Sequence, residues 1–202
     1  MPELVTPHLR CSPLQLDDWP VFLSLQQAPQ VMLYVADPRP VAEIRDAFDS
    51  RLPAWSPGAP HWLCLVVRDR YTHAPLGLTG YHHHAPDSAE AGFLFAPHAQ
   101  GKGYGYESLR ALCDYAFSTG GIRRLTATVT AGCLASENLL QRVGFRRALA
   151  QRLAFWPAAP RLQLAWAIWR IGADGLFLYT AGRQQRKAIN VTNDTAAKPA
   201  GP

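Results

Sequence analysis

The chain has 202 residues, 48% of them apolar, enough for one substantial core and too few for two. Its net charge of +5 is scattered, with no Lys/Arg stripe interleaved with aromatics, which argues against nucleic acid as the primary partner. No segment approaches the ~20 continuous apolar residues of a membrane span, and the start, MPELVTPHLRCSPLQL, lacks the charged and apolar regions of a signal peptide, so a soluble cytoplasmic protein is expected.

One domain is expected over residues 1–181, followed by a basic, flexible tail at 182–202 (GRQQRKAINVTNDTAAKPAGP) that has no apolar periodicity. Cys11, Cys64, Cys113 and Cys133 are widely spaced, without a C-x-x-C pair, and read as reduced and mostly core rather than as zinc ligands.

In chain order, HLRCSPLQL reads as a first strand. LDDWPVFLSLQQAPQVMLYV reads as one or two short helices, with Asp17 or Asp18 as N-cap and Pro29 closing the first. RPVAEIRDAFDSRL continues as a helix, with Val41, Ile44, Ala47 and Phe48 at helical spacing. Three strand segments follow at 61–69, 75–84 and 89–97; their short polar connections predict an antiparallel meander. A helix is predicted over 103–118, its buried stripe formed by Leu109, Leu112, Cys113, Ala116 and Phe117. RRLTATVT (123–130) alternates as a strand, and LASENLLQRVGF is a short helix closed by Gly144. A strand within FRRALAQRLAFW and another within LQLAWAIWRIGADGLFLYT complete the chain; two candidate strands compete in that last apolar run.

Between the third meander strand and the long helix stands AQGKGYGYES, with Gly101, Gly103 and Gly105 at alternate positions. Without Cβ atoms, successive backbone N–H groups can point into one concavity, and the helix start adds its own unpaired N–H groups and positive dipole end. An anion site results, for which phosphate is the natural occupant and to which the side chains of Gln100 and Lys102 can contribute donors. A Walker loop needs Ser or Thr after Gly-Lys, where this chain has Gly103. A dinucleotide fingerprint beginning at Gly101 needs glycine where it has Tyr106. A tight surface turn without a ligand is the other reading of the loop taken alone.

The run Q-G-K-G-Y-G resembles the Q/R-x-x-G-x-G/A coenzyme A pyrophosphate loop of the GNAT N-acetyltransferase superfamily, and APHAQGKGYGYESLRALCDYAF resembles its ribosomal-protein N-terminal (alanine/serine) acetyltransferase branch. LTATVTAGCLASENLLQRVGF is similar to that branch's strand and N-x-x-S…G-F helix, with Ser136, Gly144 and Phe145 in register, and AEAGFLF to the strand before the loop. The resemblance implies an α/β GNAT fold: a mixed, mostly antiparallel sheet of six to seven strands, splayed between strands 4 and 5 and flanked by helices.

It further implies acetyl-CoA as co-substrate, with contacts from Phe93, Leu94 and Phe95 on the splayed strand, from Gln100, Gly101, Lys102, Gly103, Tyr104 and Gly105 in the loop, and from Cys133 and Ser136 beyond it. The implied reaction is direct attack of a primary amine on the thioester in a ternary complex, which requires a proton acceptor and a donor to the leaving thiolate. Glu90 matches an acidic residue near the acceptor amine in this branch and is the expected base, acting through water; a salt-bridged strand-edge glutamate is the alternative. His82, His83 and His84 lie near the same end. Alternation sends His82 and His84 to one face, as acceptor contacts, and His83 to the other, a divergence that argues against a metal site.

Two positions depart from the family. Many relatives have a tyrosine donor where this chain has Leu140, which leaves Ser136 as hydrogen-bond partner or weak acid to the sulfur, or as a helix N-cap. Cys133 replaces an Asn, and a thiol lacks the amide's paired donor and acceptor. That departure admits the competing class, a non-catalytic acyl-CoA-binding or partner-binding module. An α-amine titrates near 7.7–8.0 and lysine near 10.4, so weak bases favour a peptide or protein N-terminus, with small amines as the other acceptor class. Trp and His residues in LPAWSPGAPHW would line an acceptor wall or cap the core. A monomer or homodimer is expected.

Overall fold

The run LCLVV within residues 63–67 is apolar at every position because both faces of its strand are covered. In the computed structural model, which describes residues 2–119, 121–130, 132–148 and 166–172, that strand is the third of a single sheet. The strands are β1 (Leu4–Val5), β2 (Leu9–Pro13), β3 (Leu63–Asp69), β4 (Pro75–Ala85), β5 (Ser88–Phe95), β6 (Arg124–Thr130), β7 (Arg146–Ala148) and β8 (Trp166–Gly172). They lie in the order β1-β2-β3-β4-β5-β6-β8-β7. Every neighbouring pair is antiparallel except β5–β6.

On one face pack α1 (Trp19–Gln27), α2 (Pro29–Met32) and α3 (Val41–Asp49), where Phe22, Leu25, Ile44 and Phe48 meet Val66 and Leu78. On the other, α4 (Tyr104–Ser118) lays Leu109, Leu112, Cys113 and Ala116 against Leu65, Val67, Tyr81 and Leu125; α5 (Leu134–Val143) adds Leu140 and Val143. Gly144 ends α5 at φ +115°, a left-handed conformation that glycine adopts without a Cβ penalty.

The meander, the long helix and the strand–helix pair after it form as the periodicity predicts. Eight strands stand where six to seven were expected, because the chain pairs as early as Leu4–Val5, too short a segment to alternate visibly. The first predicted strand is confined to Leu9–Pro13. Of the competing final segments, Trp166–Gly172 is a strand, inserted between β6 and β7; residues 173–202, including the predicted tail, lie outside the described residues. Asp18 occupies the N-cap position of α1, but its buried carboxylate accepts from the Gln15 N–H at 2.9 Å and pairs with Arg68 instead of capping that helix. Among the described residues no helix is long and apolar enough to cross a membrane.

The N-terminal strands are clamped to the first turn of α4 by Glu107. Its Oε1 accepts from the Thr6 hydroxyl and from the His8 N–H at 2.8 Å, and its Oε2 lies 3.0 Å from His8 Nδ1. Burial raises the Glu107 carboxyl, but the bonds from Thr6 and His8 outweigh it and leave the group below its ordinary 4.5. A carboxylate depressed in the folded state stabilises above its unfolded value, and that stability disappears as pH falls through the folded one. Thermal unfolding of wild type and Glu107→Gln should therefore differ by about 1–2 kcal/mol at neutral pH and converge below pH 4.5; a constant difference across that range would contradict the clamp.

Candidate active site

β5 and β6 pair in parallel over only three residues, Ser88–Glu90 against Arg124–Thr126, and then separate. This is the splay expected between the fourth and fifth predicted strands. Ala96 N–H donates to the Leu76 carbonyl at 2.9 Å, so the antiparallel alternation turns the backbone groups of Ala91, Phe93 and Phe95 away from β4 and toward the opening. A cleft of about 1020 Å³ occupies this gap, lined by Glu90–Phe95, by the glycine loop and by the start of α5.

At one end of the cleft stands the loop. Gly101 and Gly103 have φ +74° and +87°, and a Cβ at either would meet nothing within 4 Å, so these two glycines are required by backbone handedness alone. Gly105 has a different purpose: a Cβ there would come within 3.1 Å of the Leu139 side chain, so it permits α4 to approach α5. Among the described residues the N–H groups from Gly101 to Tyr106 find no acceptor, and the first turn of α4 adds its dipole. Unsatisfied donors beside an open cleft fit a diphosphate.

The predicted side-chain donors are arranged differently from expectation. Gln100 Nε2 donates to the Phe95 carbonyl at 2.9 Å, which fastens the loop to the strand end. Lys102 and Tyr104 line a separate hollow with Thr6, His8 and Glu107 and are not among the residues that line the cleft. Near the loop, Arg142 lines the cleft, its guanidinium 5.2 Å from the Tyr106 ring centre. Nothing in the local sequence around Arg142 marks it.

At the start of α5, Cys133 takes the N-cap position and Ser136 the first turn, so Ser136 is not the cap. The Cys133 thiol donates to Ser136 Oγ at 3.2 Å, and both residues line the cleft. Ser136 thus receives a hydrogen bond while its own hydroxyl proton stays free to be donated. Leu140 is fully buried in the core and absent from the cleft wall. Cys64 also lines the cleft, but burial pushes its thiol up to about 12, which keeps it protonated and poorly nucleophilic.

At the opposite end, Glu90 opens into the cleft with a side chain 15% exposed. His84 Nε2 lies 3.4 Å from Glu90 Oε2 and reaches the cleft only through it. His82 sits within 3.1 Å of the Pro60 carbonyl, its ring 5.8 Å from those of Trp62 and His84. Neither histidine lines the cleft directly. His83 faces the other side of the sheet, stacked on Trp55 at 5.9 Å, as alternation requires. The two tryptophans divide accordingly: Trp55 caps the core, whereas Trp62 packs beside Gly92 in the cleft wall. The facing wall comes from residues 30–36, held by a bond from the Thr130 hydroxyl to the Tyr34 carbonyl at 2.7 Å.

A family model described as an acetyltransferase (GNAT) domain matches residues 8–146, more than half of the chain. An uncharacterized N-acetyltransferase of Bacillus subtilis, YnaD, is 30% identical over 67 residues; the match spans 33% of this chain and 39% of that relative. An acetyltransferase from Agrobacterium tumefaciens superposes with TM-score 0.68 at 25% identity, over 85% of this chain and 94% of its own. Spermidine N-acetyltransferase of Vibrio cholerae, solved with CoA and spermine, superposes with TM-score 0.70 at 18% identity, over 85% and 99% of the two chains.

Proposed function

The chain belongs to the GNAT acetyltransferase family, and from that premise we propose that it transfers the acetyl group of acetyl-CoA to the free α-amine of a peptide or protein N-terminus. The observation that carries this reading is one continuous cleft. It runs from the unpaired loop amides, past the backbone turned outward on β5, to a carboxylate at the far end. Acetyl-CoA supplies an activated thioester carbonyl to this cleft.

The residues then divide the remaining work. Loop amides from Gly101 onward, with Arg142, hold the diphosphate end, and Ala91 and Phe93 offer backbone pairing to the pantetheine arm. Glu90 accepts the proton lost by the attacking amine, directly or through water, with His84 beside it to share the charge. As the carbon–nitrogen bond forms and the carbon–sulfur bond breaks, Ser136, oriented by Cys133, donates a hydrogen bond to the departing thiolate, which takes its proton from solvent. Cys133 on this account substitutes for the usual Asn as an aiming group, not as a coenzyme ligand.

The acceptor follows from proton chemistry. A carboxylate base suits an α-amine titrating near 7.7–8.0 better than a lysine near 10.4, in keeping with the ribosomal-protein N-terminal branch that the loop and α5 motifs resemble. The spermidine enzyme shares the fold, and its acceptor does not transfer with that likeness. Acetyl-CoA mixed with N-terminal peptides and small amines, with free thiol followed, should release CoA fastest with the peptides' α-amines. Retained coenzyme without turnover would favour a non-catalytic acyl-CoA-binding module instead.

A further inference from the structure

Two guanidiniums line the same cleft away from the loop, and neither has a carboxylate partner among the described residues. Arg39, in the connection between α2 and α3, donates to Gln26 Oε1 at 2.7 Å. Arg51, just past α3, donates to the Ala47 carbonyl and lies 5.6 Å from the Phe22 ring centre. Burial holds Arg51 below the ordinary guanidinium range, and the positive charge of Arg39 pushes the same way against the opposing influence of Cys64. Cys64 is opposite Gly80 on β4, and Gly80 is opposite Gly92 on β5. Arg51, beside Cys64, is therefore level with the Gly92 rung but two strands across from it on the α1–α3 face, whereas the loop begins beyond Phe95, about 10 Å further along the strand.

Among the described residues only one carboxylate, Glu90, lines the cleft, against Arg39, Arg51 and Arg142. Like charges gathered in a half-dry site repel unless an anion joins them. The coenzyme's diphosphate is served by loop amides and Arg142 at the other end, which leaves the acceptor to bring the anion. Resting on the acetyl-transfer reading, we propose that Arg39 and Arg51 form an anion subsite of the acceptor pocket, so that the favoured acceptor carries a carboxylate close to its reacting amine. That carboxylate is either the α-carboxylate of an amino acid or an acidic side chain just after a peptide's N-terminal residue. A polyamine would set its charges beside two guanidiniums and is disfavoured.

The test uses three-residue peptide amides that share an N-terminal alanine and differ only in the second residue, glutamate, glutamine or lysine, with free alanine against its amide as the second arm. Thiol release gives kcat/KM, and titration in the presence of desulfo-CoA gives acceptor affinity without turnover. The glutamate peptide, or free alanine, should exceed its neutral twin by ~10-fold and the lysine peptide by more. The advantage should shrink with added salt and vanish in Arg39→Gln while CoA affinity holds, and Arg39→Lys should recover part of it. Equal constants for acidic and neutral twins would overturn the proposal, as would a parallel loss of CoA affinity in Arg39→Gln. Turnover without preference would remove the anion subsite and leave the transferase reading standing. Preferential binding without turnover would do the reverse.

Discussion

Gly103→Val should lose CoA affinity by about 100-fold while remaining folded. At φ +87° a β-branched residue is forced out of the left-handed region, at a cost of roughly 1–2 kcal/mol if it stays there. If it moves instead, the amides around it no longer converge, and each charge-assisted bond lost is worth about 1.5–3 kcal/mol. The added side chain itself meets open space, with nothing within 4 Å of a Cβ, so core packing is untouched and the loss is specific to the loop. Asparagine enters left-handed backbone readily, and Gly103→Asn should accordingly keep affinity within a few-fold of wild type. Titration calorimetry with CoA, beside thermal unfolding of each variant, checks both halves. A valine variant that binds normally would show that the loop's handedness is irrelevant to the ligand.

Glu90→Gln is the second large effect. Removing a general base from a proton-transfer step costs about 100-fold or more in kcat, and glutamine keeps the size and much of the hydrogen bonding of the original. CoA affinity should change less than twofold, because Glu90 and the loop lie at opposite ends of the cleft. The neighbouring His84, 3.4 Å away, makes this informative: were the imidazole the true base, the variant would retain most of its rate, and His84→Gln would lose it instead. Turnover measured for both variants over pH 6–9 distinguishes the two assignments.

Much of the donor side of the cleft was legible in the sequence because it is local. A strand, a glycine-rich turn and a helix start follow one another within residues 88–107, and the N–H cradle is a property of that continuous backbone. Even there the glycines looked equivalent, whereas two serve backbone handedness and one serves helix packing, a distinction set by Leu139 more than thirty residues away. Lys102 looked like a phosphate ligand because it is adjacent in sequence; it lines the hollow with Thr6, His8 and Glu107, whereas Arg142, from another helix and unmarked in the sequence, lines the cleft. At the opposite end only Glu90 and the tryptophans of LPAWSPGAPHW were legible. The wall there joins residues 26–51, Trp62 and Glu90, brought together by the sheet and not by any spacing that a motif could record. Strand β1 was missed since two residues cannot show a period, while β3 was found despite lacking alternation, because a run of apolar residues between turns is what a strand covered on both faces requires.

Titrating the wild-type protein with CoA and, separately, with pantetheine, which lacks the diphosphate, tests the gripping of phosphate by the amides after Gln100 most directly. CoA should bind with measurable heat and pantetheine at least 100-fold more weakly, since only the former engages the charge-assisted bonds of the loop. Equal affinity for the two, or no binding of CoA, would contradict it.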